Sequence, residues 1–323
     1  MKQYWNHLLG TSLGAALLAA PALASGRTYP LWDDVDQDLI LRRGNTWVVQ
    51  GEVHVLAGVT LTVEEGATIL IKNGKIRGTN LDRAALIFDP GSRLRADRMT
   101  IAAAGAGDRP EKRADNAGVW FLGSWASGEK DGISVTANPR GPASSFIAEE
   151  IAVSDLGHMD PAPTPRSMNP SGDDVDGISL IGLGMSEWKI RRVESNFSGD
   201  DGFDVTNSNI EMEALTIKTP FEDALNISSS RVRVTRKLDV SMSRSRLPDR
   251  EIFDLEVDDG PSHVVIARGA RVDLSGRFGD EVQLRSGTLP QPELCTDEGP
   301  CPFYEFHGTS RSGPTSIFSI DQD

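Results

Sequence analysis

The chain has 323 residues and carries 47 Asp and Glu against 33 Lys and Arg, a formal net charge of −14. So acidic a balance argues against DNA or RNA as a partner, because phosphate binding needs dense Lys and Arg. It also disfavours an unaided polyanionic substrate, a point that bound cations or a local basic groove would reverse.

Residues 1–24 read as a secretory signal. Lys2 supplies a positive charge, "LLGTSLGAALLAAPALA" supplies the apolar run, and Ala22 and Ala24 occupy the small positions before Ser25. The competing reading is a membrane anchor, for which the run is short. The expected product is periplasmic or secreted, with no stable membrane span after signal cleavage. Residues 25–45, with Trp32 and Asp-rich turns, are expected to cap the N-terminal end.

From residue 46 the pattern changes to short alternating strands. "VHVLAGVTLTVEEGATILIKNG" at 53–74 holds three, broken at Gly58 and Gly66, and "LIFDPGSRLRADRMTI" at 86–101 repeats the idea. Further on, four segments share one shape: "DGISV", "DGISL", "DGFDV" and "DALNI", beginning at Asp131, Asp176, Asp201 and Asp223. Each is Asp, a small residue, then apolar, polar, apolar. A period near 22–25 residues with a short strand per unit is a solenoid signature. The interval of 45 from Asp131 to Asp176 fits two periods. The expected fold is all-β, about three strands and three turns per unit, with stacked units paired in parallel ladders about 4.8 Å apart. It should run over 46–285, interrupted by a Pro-rich loop at 156–172. Residues 286–323 should form a C-terminal cap or tail. Cys295 and Cys301 lie there, separated by "TDEGP", and in an exported chain they are expected to form a small disulfide loop.

Stacking makes the recurrent Asp the feature of interest. Asp176, Asp201 and Asp223 should form a column on one edge, with Asp200 and Glu222 beside it. Ser134, Ser179, Asp204 and Asn226 should form a second column on the outward strand positions. Carboxylates held close disfavour simultaneous ionisation, so one pKa rises or a cation binds. That supplies either an acid–base pair, from Asp176, Asp200, Asp201 and Asp223, or a Ca²⁺ site, from Asp200, Asp201 and Asp204. The alternative is structural: Asp before Gly is a common turn pair whose carboxylate accepts backbone N–H groups. Trp125 is a candidate sugar-stacking platform, and Arg192 and Lys218 are candidate substrate contacts. His54, His158, His263 and His307 are scattered. There is no P-loop and no dinucleotide fingerprint, so nucleotide binding is not expected.

"GVTLTVEEGATILI" and the D-G-I-S/D-V/L segments resemble the right-handed parallel β-helix proteins of the pectin-lyase-like superfamily. The resemblance covers roughly residues 45–285 and implies the solenoid. "VDGISL" followed by "SGDDGFDV" resembles the paired Asp motifs of the polygalacturonase-type glycoside hydrolases, which would give Asp176, Asp200 and Asp201 catalytic roles. Val175 stands where that family has Thr, and "EDALNI" stands where it has Gly-His-Gly. The polysaccharide lyases of this scaffold imply instead an acidic Ca²⁺ cluster with an Arg or Lys base. The expected function is therefore an exported protein that modifies or binds a polysaccharide or surface glycan, as a hydrolase or lyase. The alternative is a non-catalytic binding or structural protein whose aspartates cap turns or hold Ca²⁺.

Overall fold

The computed structural model describes residues 26–74, 83–110, 117–130, 133–158, 175–242, 251–256 and 260–276. Beyond these it gives the backbone of the strands Gly287–Pro290, Phe303–Phe306, Thr309–Ser310 and Phe318–Ser319. The described residues are all strand and turn, with no helix. None of them forms a helix long and apolar enough to cross a membrane. Cys295 and Cys301 lie outside the described residues, as does most of the Pro-rich loop.

The sequence dictates the strands through alternation. In Thr60–Val63, Leu61 and Val63 are buried while Thr60 and Thr62 are half-buried. One face of each strand therefore joins a core and the other does not. The turns bring each strand beside its successor in parallel: Thr46 pairs with Thr68, Leu39 with Leu61, and Asp204 with Asn226.

Two long parallel sheets result. The larger, of 15 strands, runs through Thr28–Leu31, Thr46–Val49, Thr68–Ile71, Arg93–Ala103, Ser145–Ser154, Trp188–Asn196, Asn209–Lys218, Arg231–Ser241, His263–Ile266 and Phe303–Phe306. Parallel pairing thus begins inside the segment expected to cap the fold. The second sheet has eight strands: Glu52–Val55, Ala84–Phe88, Ala117–Leu122, Ile178–Ile181, Asp204–Thr206, Asn226–Ser228, Phe253–Glu256 and Phe318–Ser319. Every neighbour in it is parallel.

The long strands change phase halfway. In Asn209–Lys218, Ile210 and Met212 face the core, then Leu215 and Ile217, with Glu213 and Ala214 between. Two consecutive non-core residues turn a corner, and against Arg231–Ser241 the pairing shifts register there, between Met212 and Ala214. The core rows stack like side chains from unit to unit: Ile178, Phe203, Leu225 and Phe253 occupy one register, and Leu180, Val205, Ile227 and Leu255 the next. Phe88 and Phe121 stack at 4.9 Å, and Phe146 and Trp188 meet Phe121 edge-on. Trp188 is therefore a core residue.

The "DGISV" segment departs from expectation. Ile133–Val135 pairs antiparallel with Gly128–Lys130 in a separate two-stranded sheet. The interval from Asp131 to Asp176 therefore does not hold two ladder units: the strand before Ile178–Ile181 in the ladder is Ala117–Leu122, where Val119 pairs with Ile178. The reason is packing. Val135, Ala126 and Val175 join Ala85, Ile87, Trp120, Leu122 and Ile181 in a second apolar cluster outside the main core. The segment thus covers the outer face of the eight-stranded sheet, and its apolar alternation serves that cluster and not the ladder.

Candidate functional site

The expected Asp column exists. The register that pairs Ser179 with Asp204, Asn226 and then Asp254 aligns Asp176, Asp201, Asp223 and Glu251. All four are buried. Each of the three Asp carboxylates is used by the next unit. The backbone N–H of Asp201 donates to Asp176 Oδ1 at 3.2 Å, and that of Asp223 to Asp201 Oδ1 at 2.9 Å. The N–H of Glu251 donates to Asp223 Oδ1 in the same way. Ser179 Oγ lies 3.4 Å from Asp176 Oδ2. A carboxylate that accepts a backbone N–H satisfies a donor that would otherwise be buried unpaired.

The turn around Asp201 requires its glycines. A Cβ at Gly199 would lie 2.5 Å from the carbonyl carbon of Gly157, and one at Gly202 would lie 2.4 Å from Ile217 Cγ2. Phe197 and Thr219 open this turn and the next in the left-handed region, at φ 56° and 55°. A β-branched residue is an outlier there. Asp155 adopts the same conformation one unit earlier, so the feature belongs to the repeated turn. Asp200 O accepts the N–H groups of Phe221 and Glu222, which locks the two turns together.

Electrostatics follow from the stacking. The Asp223 carboxyl is pushed well above the usual carboxylate range, first by burial and then by the neighbouring Asp201, with Glu251 and Asp254 adding to it. Among the described residues, the acidic group whose ligand atoms all lie within 4.8 Å of one another is Asp200, Asp201 and Glu222. Glu222, not Asp204, completes this set. Asp204 sits on the other side of the turn, in register with Ser179 and Asn226. Ser179 and Asp204 are fully buried and Asn226 is half-buried, so this outward row is largely covered; the Ser134 side chain lies outside the described residues.

The other candidates lie elsewhere. Arg192 is on the large sheet, paired with Glu149 at 2.8 Å and Glu150 at 3.2 Å. Lys218 pairs with Glu194 at 3.3 Å. Arg192 belongs to a ladder of exposed ion pairs in which Glu149, Arg191, Glu213 and Arg236 alternate in sign along the strand corners. Trp125 projects from the turn after Ala117–Leu122 and is 70% exposed. Ser124, beside it, is pinned by its N–H and hydroxyl to Glu187 Oε1, at 3.0 and 2.6 Å. Trp125 thus borders the C-terminal ends of the eight-stranded sheet, while the Asp column borders the N-terminal ends. His54 Nδ1 lies 2.8 Å from Asp89 Oδ1, and that bond raises the His54 pKa above its ordinary value.

Sequence reasoning missed two column positions. "EIFDL" at 251–255 is the same motif with Glu for Asp. "AGVWF" at 117–121 is the motif with Ala, and it was the true predecessor of "DGISL". "EIFDL" was readable from its apolar–polar–apolar pattern once Asp was not required; "AGVWF" was not, because Trp120 fills the middle position and packs in the outer apolar cluster. Compared with protein-family models, with curated proteins and with solved structures, the chain matches none.

Proposed function

We propose that the chain winds as a parallel β-helix, exported, that binds a polysaccharide without cleaving it. In this reading Asp176, Asp201 and Asp223 form an internal framework. The observation that carries it is the bonding of the column: Oδ1 of each Asp accepts the N–H of the residue one unit on. Carboxylates buried and committed to backbone donors are poorly available to a substrate. Trp125 supplies a large exposed aromatic face on a pinned turn, suited to stack on a sugar ring. Asp200, Asp201 and Glu222 offer the hard oxygen ligands that Ca²⁺ takes, and would bind it with water completing the shell.

The test is retention on immobilised neutral and acidic polysaccharides, with a parallel assay for new reducing ends or unsaturated products. Wild type should be retained, Trp125→Ala should not, and neither should form products. A second reading, glycan hydrolysis or elimination, is favoured by one observation: Asp223, its pKa raised by burial and by Asp201, stands beside a second carboxylate, the composition of an acid–base pair. Products formed by wild type and lost in a folded Asp201→Asn variant would establish that reading and overturn the first.

A further inference from the structure

We propose a second site in the first layers of the fold: a cleft of indole and carboxylate groups that binds a small organic ammonium ion. Its volume is about 260 Å³, just under the ~300 Å³ at which pockets for drug-sized molecules begin, so its ligand is small. The cleft lies on the segment between Thr28–Leu31 and Leu39–Leu41, and its lining residues fall within the described stretch 26–74. Its position follows from the first ladders. Leu31 pairs with Val49 and Val35 bridges Val55, so both belong to the main core. Buried themselves, they give the cleft an apolar base, and Trp47 joins them from the next strand. The residues that follow Leu31 and Val35 are exposed and form the rim: Trp32, Asp33 and Asp34, then Asp36.

The lining selects charge. It carries three carboxylates and two indoles and, among the described residues, no basic side chain. The segment is held by the layer beneath it. Asp34 Oδ1 accepts the His54 N–H at 3.0 Å, and Asp38 Oδ1 accepts the Thr60 N–H at 2.8 Å. Between them the Val35 N–H donates to His54 O at 2.7 Å. Trp47 is fixed by its stack on Tyr29, with ring centres 4.8 Å apart. A wall held in this way loses little freedom when a ligand arrives. Asp33 and Asp36 have no ion-pair or hydrogen-bond partner among the described residues, unlike the paired carboxylates of the strand corners. Trp32 is 62% exposed. A neutral sugar needs donors as well as acceptors, and this lining offers chiefly acceptors. A bare metal ion needs ligands that converge. Among the described residues those are Asp200, Asp201 and Glu222, so Asp33, Asp34 and Asp36 stand too far apart to share one. An organic ammonium uses every part of the cleft: its charge faces the carboxylates and its alkyl surface lies on the indoles. The site shares no residue with the acidic turns or with Trp125, and does not depend on the function proposed for them.

The experiment is an NMR titration of the whole protein with choline, followed at the indole N–H signals. The control ligand is 3,3-dimethyl-1-butanol, which has nearly the same shape and no charge. Choline should shift the Trp32 and Trp47 signals saturably at millimolar concentration, and more weakly as salt rises. The alcohol should bind about ten-fold more weakly, the loss expected when a cation on an indole gives up its charge. Trp32→Ala should weaken choline about five-fold. The double variant Asp33→Asn, Asp36→Asn should weaken it about five-fold as well, and flatten the salt dependence. Both variants alter exposed side chains, so the fold is kept. Asp34 is left alone because it holds the His54 N–H. Any of four results would overturn the assignment: no saturable shift at either indole, equal affinity for the alcohol, unchanged choline affinity in either folded variant, or a shift confined to Trp125.

Discussion

Replacing Asp201 by Ala removes the acceptor for the Asp223 N–H. That donor sits in a buried turn at 2.9 Å from Asp201 Oδ1. A hydrogen bond to a charged group contributes about 1.5–3 kcal/mol, and a buried donor left unpaired costs a similar amount. Part of the loss is offset, because the negative charge of Asp201 no longer acts on Asp223, where it raises the carboxyl pKa. A net loss of about 2 kcal/mol is expected for Asp201→Ala. Asn keeps the Oδ1 acceptor, and its Nδ2 can donate to a carboxylate of the adjacent Asp200 or Glu222. Asp201→Asn should therefore stay within about 1 kcal/mol of wild type. Urea unfolding followed by circular dichroism measures both, with the slope compared between variants to confirm the same transition. Stacked repeats can open locally, so amide exchange at Asp223 should be followed too. It should speed up in the Ala variant and remain slow in the Asn variant. Equal destabilisation by Ala and Asn would refute the reasoning, since the charge and not the acceptor would then be what matters. No effect of Ala would refute it as well.

Asp223→Asn tests the raised pKa. A folded-state pKa above the unfolded value stabilises fully below the ordinary carboxylate range, and that stability is lost as pH rises through the raised value. Asp223→Asn should therefore gain on wild type at pH 7 and lose the gain toward pH 4, read as urea midpoints; a difference independent of pH would contradict the cause given. The His54 pKa is raised chiefly by Asp89, so the stability it contributes is present below the usual imidazole range and fades above it. An Asp89→Asn variant should bring the His54 titration, followed by NMR, back toward its ordinary position. Gly202→Ala should cost about 3 kcal/mol, because the new methyl meets Ile217 Cγ2 at 2.4 Å and Ala224 O at 2.6 Å; a midpoint near wild type would mean that the turns separate easily. Arg191→Ala should lower the midpoint only slightly, and the difference should vanish at high salt, as for other exposed ion pairs.

The sequence by itself determined the all-β class, the parallel repeat near 22 residues and the Asp column. These are periodic properties, and a period can be read wherever alternation and turn residues recur. It also placed Asp200 and Glu222 beside that column, because neighbours in a repeated turn remain neighbours after stacking. Only the tertiary structure decided what the carboxylates do. Whether an Asp faces water or accepts the N–H of the next unit depends on how far one turn is shifted against another, and no residue pattern encodes that offset. The same cause explains "DGISV": its alternation was real, but the apolar face it needed was offered by Trp120 and Ile181 across the outside of a sheet. It explains Asp204 as well, fully buried in a row that alternation alone assigned to the outward strand positions. A cleft lined by Gln50, Lys72, Arg83 and Ala104 likewise joins residues from separate layers, and only the stacking of the turns brings them together.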